Sequence, residues 1–190
     1  MRRILICCLM CLVMLCSCTS MMSELTNTPT YEAQAYSVHY TNEPISKDVK
    51  VLVLCDSGDF MFQRDVETSM VEAFNENGIT AFAYSSIEIE SQPPFIEYLY
   101  AVAMENDCRY VLIAGAHDFY TYEYGGGISQ MSFDSNMADY EASEIVLRVS
   151  GAINCEENLY HSMTESIEPA CKTMAEAIVD EYMTYVESPV

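Results

Sequence analysis

Lysine and arginine are scarce: the 190-residue chain carries 8 of them against 29 aspartates and glutamates, a formal net charge of −21. Binding a phosphate backbone takes Lys and Arg that displace its counterions. Nucleic acid is thereby excluded as a partner, and an anionic membrane surface is excluded as a docking site. Tryptophan is absent and histidine occurs only 3 times. His39, His117 and His161 stand in separate segments, so spacing alone shows no Ser-His-Asp or Cys-His set. Nor do Cys55 and Arg64 have the spacing of a Cys-x5-Arg phosphatase loop. No residue set calls for a cofactor, and none specifies a reaction, so the expectation is a protein that is not an enzyme.

The strongest positive signal is at the start. Met1-Arg2-Arg3 is basic, and Ile4 to Leu15 is an unbroken apolar run of 12 residues. At ~1.5 Å per residue the run covers roughly 18 Å, short of a ~30 Å hydrocarbon core. It therefore reads as a cleaved export signal and not as a retained span. Leu15-Cys16-Ser17-Cys18 closes it. This resembles the lipobox of bacterial lipoproteins, in which the final Cys, here Cys18, becomes the lipidated N-terminus. Cys16 departs from the Ala, Ser, Thr or Val more common there. Two or three acyl chains, at ~0.8 kcal/mol per buried methylene, would anchor the protein stably. Thr19 stands where an Asp tends to retain lipoproteins at the inner membrane, so the resemblance implies the outer membrane.

Three stretches follow: a signal peptide over 1–17, a lipidated N-terminus and flexible tether over 18–46, and one domain over 47–187. The tether is dominated by Ser, Thr, Asn, Pro and Glu and shows no periodicity. The mature chain keeps 6 basic residues against 29 acidic ones, a net −23, because Arg2 and Arg3 leave with the signal. Such a charge keeps an exported protein soluble. Of 9 cysteines, only Cys55, Cys108, Cys155 and Cys171 lie beyond the signal and the lipidation position. Cys55 ends one expected strand and Cys108 precedes another, which places them at opposite ends of a parallel pair. Four small buried thiols are expected, not bridges.

Within the domain, Val49 to Cys55 reads as a buried strand. Arg64 to Asn77 reads as a helix whose Val66, Met70, Val71 and Phe74 share a face. Ile79 to Tyr84 is a second strand, Pro93-Pro94 opens a second helix, and Arg109 to Gly115 is a third strand. Phe119 to Tyr124 continues that strand up to Gly125-Gly126-Gly127. Alternation returns from about Asp139 to Ile153, with Ile145, Leu147 and Val149 on one side. A turn at 154–158 and a last strand over Leu159 to Ile167 follow. Pro169 opens a final amphipathic helix in which Ala170, Met174, Ile178, Tyr182 and Val186 keep an i+4 spacing. The expected fold class is α/β with α+β character. A β-α-β-α-β parallel core is extended by an antiparallel β-hairpin, with a C-terminal amphipathic helix and helices on both faces.

This order resembles a group of bacterial envelope domains. The group includes the amino-terminal domain of the Tol translocation protein, the periplasmic domain of the curli-secretion lipoprotein and the lipoprotein activators of penicillin-binding proteins. The resembling stretches are Val51 to Leu54, Asn77-Gly78-Ile79, Asp107 to Gly115 and Ala142 to Gly151. Arg109 stands where the group commonly has Asp. The group's hairpin turn and following Trp are replaced by 154–158 and no Trp. The resemblance implies a non-catalytic envelope lipoprotein that binds a protein partner.

Two residue sets are candidates for contact or chemistry. Parallel sheets bind ligands beyond the carboxyl ends of their strands, at the switch point. If the parallel strands lie in the order 2-1-3, that crevice collects Asp56 and Asp59 with His117 and Asp118, a donor set for a divalent cation or for acid–base work. The plainer reading is turn and helix-cap chemistry. The second set is Tyr120, Tyr122 and Tyr124, which alternation places on one face of a strand as a patch for a protein partner or as cover for the sheet.

Overall fold

The structure, a computed structural model, describes residues 28–57, 60–87, 96–123, 125–155 and 161–186. Among these residues, six strands and three α-helices follow in chain order: β1 (Tyr31–His39), β2 (Lys50–Cys55), α1 (Phe60–Glu76), β3 (Thr80–Ala83), α2 (Ile96–Glu105), β4 (Tyr110–Thr121), β5 (Ile128–Asp139), β6 (Glu144–Cys155) and α3 (Met163–Met183). The six strands form one mixed sheet in the order β1-β6-β5-β4-β2-β3. β2 pairs in parallel with both β3 and β4, which is the 2-1-3 arrangement of the three parallel strands. β4, β5, β6 and β1 are joined by antiparallel pairs.

Helices cover both faces unequally. α1 buries Val66, Met70 and Phe74, and α3 buries Ala170, Met174, Ile178 and Tyr182, against one face of the sheet. Each Val, Ile, Met or Phe side chain among them contributes ~1.5–3 kcal/mol where it is fully removed from water. On the opposite face α2 packs Leu99, Val102 and Ala103 on Leu52, Leu54 and Val111. That second cluster holds no buried residue of β1, β5 or β6. Among the described residues, no helix is long and apolar enough to cross a membrane.

Four expectations are corrected. The stretch expected as tether contains β1, which pairs with β6 along its whole length. After Tyr31 its core-facing apolar residues, Ala33 and Ala35, are small, so its hydrophobic alternation is weak. The stretch from Asp139 holds a strand end, a turn and β6 rather than one strand, and β5 precedes it. An irregularity between Met137 and Ala138 turns Val146 inward and leaves Ile145 exposed. Leu159 to Ile167 is not a last strand: α3 starts at Met163, six residues before Pro169. Ser162 caps it, accepting from the Glu165 N–H, while the Glu165 carboxylate accepts from the Ser162 N–H at 2.7 Å, a reciprocal capping box. Finally, Cys155 ends β6 instead of sitting in a turn. Among the described residues the cysteines form no disulfide: Cys55, Cys108 and Cys171 are buried, and Cys155 is half-buried.

Candidate functional site

Side chains alternate across a strand. On β1, β5 and β6 one row enters the core beneath α1 and α3. The other row carries Glu32, Gln34, Tyr36 and Val38 on β1, Ser132, Asp134 and Asn136 on β5, and Arg148, Ser150 and Ala152 on β6. Among the described residues no helix reaches over them, so this half of the sheet has an open face. Small residues at its centre make an open concavity of about 630 Å³, lined by Gln34, Tyr36, His117, Ser132, Asp134 and Ser150 among others. Arg148 donates from Nε to Asn136 Oδ1 at 2.8 Å, which holds the guanidinium flat across neighbouring strands. Tyr36 is 67% exposed and Val38 46%. Tyr area, amide groups and one fixed guanidinium suit contact with another macromolecule.

β4 delivers His117 to the rim of this face. Its Nδ1 lies 3.5 Å from Asp134 Oδ2 and its Nε2 3.8 Å from Asp118 Oδ2. Asp118 has φ +51, and the β4–β5 register shifts between His117 and Tyr120. The ladder is irregular there, which re-aims the strand beyond His117. His117 and Asp118 meet, and Asp134, which sequence reasoning did not single out, joins them. Asp56 donates its backbone N–H to Ala114 O at 2.7 Å, securing the end of β2 to β4. Asp59 lies outside the described residues. Among the described residues, no three His, Cys, Asp or Glu side chains converge as metal ligands.

The tyrosine row is divided. Tyr120 is 59% exposed. Tyr122 is half-buried, and its hydroxyl is pushed up to about 12 by burial and by a hydrogen bond with Cys155. Two register shifts around Tyr120 break the alternation that would have kept the row together. Tyr124 and Cys18, the residue expected to carry lipid, lie outside the described residues. The hairpin itself turns through Gly125 and Gly126, at φ +97 and +74, where side chains with a Cβ are strained.

Two carboxylates were missed by sequence reasoning. Glu67 on α1 is fully buried. Its Oε1 accepts from Cys55 N at 3.0 Å and Gln63 Nε2 at 3.1 Å, and its Oε2 from Ser85 N at 2.7 Å. It therefore clamps the carboxyl ends of β2 and β3, where a parallel sheet would place a ligand. Burial, with Glu67 and Asp56 nearby, pushes the Cys55 thiol up to about 12. Asp139 pairs with Arg109, whose Nε and Nη2 donate to Oδ2 at 2.9 and 2.8 Å. Its Oδ1 accepts from the N–H groups of Glu141 and Ala142, closing the β5–β6 turn. The only forewarning was a Glu beside the apolar stripe of α1 and an Arg where Asp was expected.

No protein-family model matches the sequence. No curated protein matches it either. Among solved structures, the PelC dodecamer from Paraburkholderia phytofirmans is similar, with a TM-score of 0.55 at 11% identity over 83% of this chain and 100% of that one. Lipoprotein GNA1162 from Neisseria meningitidis is similar over 72% of this chain and 99% of that one, with a TM-score of 0.47 at 13% identity. TolB from Acinetobacter baumannii follows at a TM-score of 0.39 and 13% identity, over 80% of this chain and 31% of that one. At 11% identity the PelC match is a likeness of fold: the chain shares its architecture with PelC.

Proposed function

We propose that this chain is a lipid-anchored protein of the bacterial outer membrane that works by binding another envelope protein, without bond-making chemistry of its own. The observation that carries the reading is the export signal ending in Leu15-Cys16-Ser17-Cys18. Acyl chains on Cys18 anchor the chain, and β1 begins at Tyr31. Even fully extended, the residues between them span at most roughly 45 Å, so the domain works close to the bilayer. The open face supports the contact role, because it offers Tyr36, Arg148 and amide groups at a surface that no helix among the described residues covers. The likeness to PelC, crystallised as a dodecamer, supports it at the level of fold.

Cell fractionation tests the anchor. Cys18→Ala moves the protein from the membrane to the soluble fraction, and Thr19→Asp moves it from the outer to the inner membrane. Cross-linking of intact cells followed by capture of the anchored protein recovers one recurrent envelope protein. A Cys18→Ala chain that stays in the membrane fraction refutes the anchor. Turnover of a small-molecule substrate by the purified chain refutes the binding role.

A further inference from the structure

β1 ends the sheet, bonded to β6 on one side only. Its nine residues pair with β6 without a register shift, whereas the opposite edge, β3, is four residues long. Tyr40 donates its N–H to Val146 O at 2.9 Å. Even-numbered residues of β1 therefore bond to β6, and the N–H and C=O groups of Ala33, Ala35, Ser37 and His39 point outward. Among the described residues, no strand or loop bonds to that outer row. Exposed edges are normally blunted by Lys, Pro, a bulge or short length. β1 has no Lys, no Pro and no bulge.

Its surroundings indicate an occupant. On the open face Tyr36, Val38 and, just past the strand, Tyr40 are 67%, 46% and 54% exposed, an apolar row along the edge. On the helix face Glu181 of α3 accepts a hydrogen bond from the Ser37 hydroxyl. The one formal charge on β1 is Glu32, so the carboxylates shown at this edge are Glu32 and Glu181. A second copy of this chain, at net −21, would bring like charges together. A cationic strand would not.

We propose that β1 accepts an extended, lysine- or arginine-bearing segment of a partner protein as a seventh strand. The segment pairs its backbone with Ala33, Ala35, Ser37 and His39. Alternate side chains lie on Tyr36 and Val38, and the intervening basic ones come up beside Glu181. Backbone bonds supply affinity, and the two side-chain rows supply selectivity. The inference rests on the binding reading above and names its contact.

The test uses the mature acylated chain in detergent, with a ten-residue synthetic peptide of alternating Lys and Val as probe and alternating Glu and Val as control. The Lys–Val peptide slows amide hydrogen exchange at Ala33, Ala35, Ser37 and His39, and its affinity falls roughly tenfold or more in high salt. Ala35→Pro removes an outward N–H that the fold does not use, as an edge strand permits. Val38→Lys, at an exposed site, places a positive charge on the edge. Each abolishes binding while leaving the circular dichroism spectrum unchanged. Equal binding of the Glu–Val peptide, protection at other strands, or unaltered binding by Val38→Lys overturns the proposal. So does protection of the same four amides without peptide together with a doubled mass, which assigns the edge to a second copy. If Ala35→Pro and Val38→Lys chains still capture the same envelope protein from cells, the edge is refuted and the binding reading stands.

Discussion

Gly151 decides whether β1 can dock at all. It lies opposite Ala35 in the β1–β6 ladder. A Cβ there would overlap the Gln34 carbonyl oxygen and stand 2.6 Å from Phe133 Cζ and 3.0 Å from Ala35 Cα. Two of these atoms are backbone and cannot swing aside. Overpacking of this kind costs about 1–3 kcal/mol, and the backbone contacts place Gly151→Ala at the upper end. The stiffer unfolded chain offsets about 0.4–1 kcal/mol of that. A net loss of about 2 kcal/mol remains, which lowers the melting temperature by about 4–8 °C for a chain of this size. The assay is thermal melting with amide hydrogen exchange. Exchange should accelerate at Gln34, Tyr36 and Val38, whose N–H groups face β6. Gly126→Ala is the control: at φ +74 it is strained, but a Cβ there meets nothing within 4 Å. It should destabilise without loosening β1. A Gly151→Ala chain that melts within 1 °C of the parent, with β1 exchange unchanged, refutes the close-approach argument.

Three further outcomes follow from the buried polar groups. Glu67→Ala leaves the Cys55 and Ser85 N–H groups without their acceptor, at about 1–3 kcal/mol each. Urea unfolding should show a loss of about 4 kcal/mol, and a loss below about 1 kcal/mol contradicts the clamp. Tyr182 is fully buried in edge-to-face contact with Phe74, and among the described residues its hydroxyl has no hydrogen-bond partner. Tyr182→Phe should therefore hold or raise stability, by up to about 1 kcal/mol, and a clear loss in the same urea experiment would reveal a partner. Burial raises the thiols of Cys55 to about 12 and Cys108 to about 11. In the unfolded chain they ionise near ~8.5, so their contribution is intact below that pH and is lost as pH rises towards the folded values. Melting temperature should fall between pH ~8.5 and 12, less steeply in Cys55→Ala; equal slopes in parent and variant contradict the assignment.

Much of the parallel half was legible in the sequence. Val51 to Leu54, the Val66–Met70–Phe74 stripe and Tyr110 to Ala114 announce their elements because each buries a face through nearest neighbours along the chain. The Ser162…Glu165 spacing equally announces the start of α3, but Pro169 competes with it as a start signal. The helix runs through Pro169 in its second turn, losing the single bond a proline cannot donate. β1 and β5 were not legible. β1 faces the core with Ala33 and Ala35, and β5 interleaves Met131, Phe133 and Met137 with Ser, Asp and Asn that read as loop. Of the candidate site, the pairing of His117 with Asp118 followed from adjacency. Asp134 and Arg148 reach the same face only through strand register, and the shifts around Tyr120 that divide the tyrosine row are features of pairing, not of composition.

By itself the sequence determined the excess of acidic residues and the β-α-β-α-β core, because charge and periodicity are properties of contiguous residues. Only the tertiary structure decided that β1 ends the sheet and that, among the described residues, its outer edge bonds to no strand and no helix lies over one face of β1, β5 and β6. Those depend on which distant segments meet: α2 ends its reach over β2 and β4, and Gly151 lets β1 approach where any larger residue would hold it off.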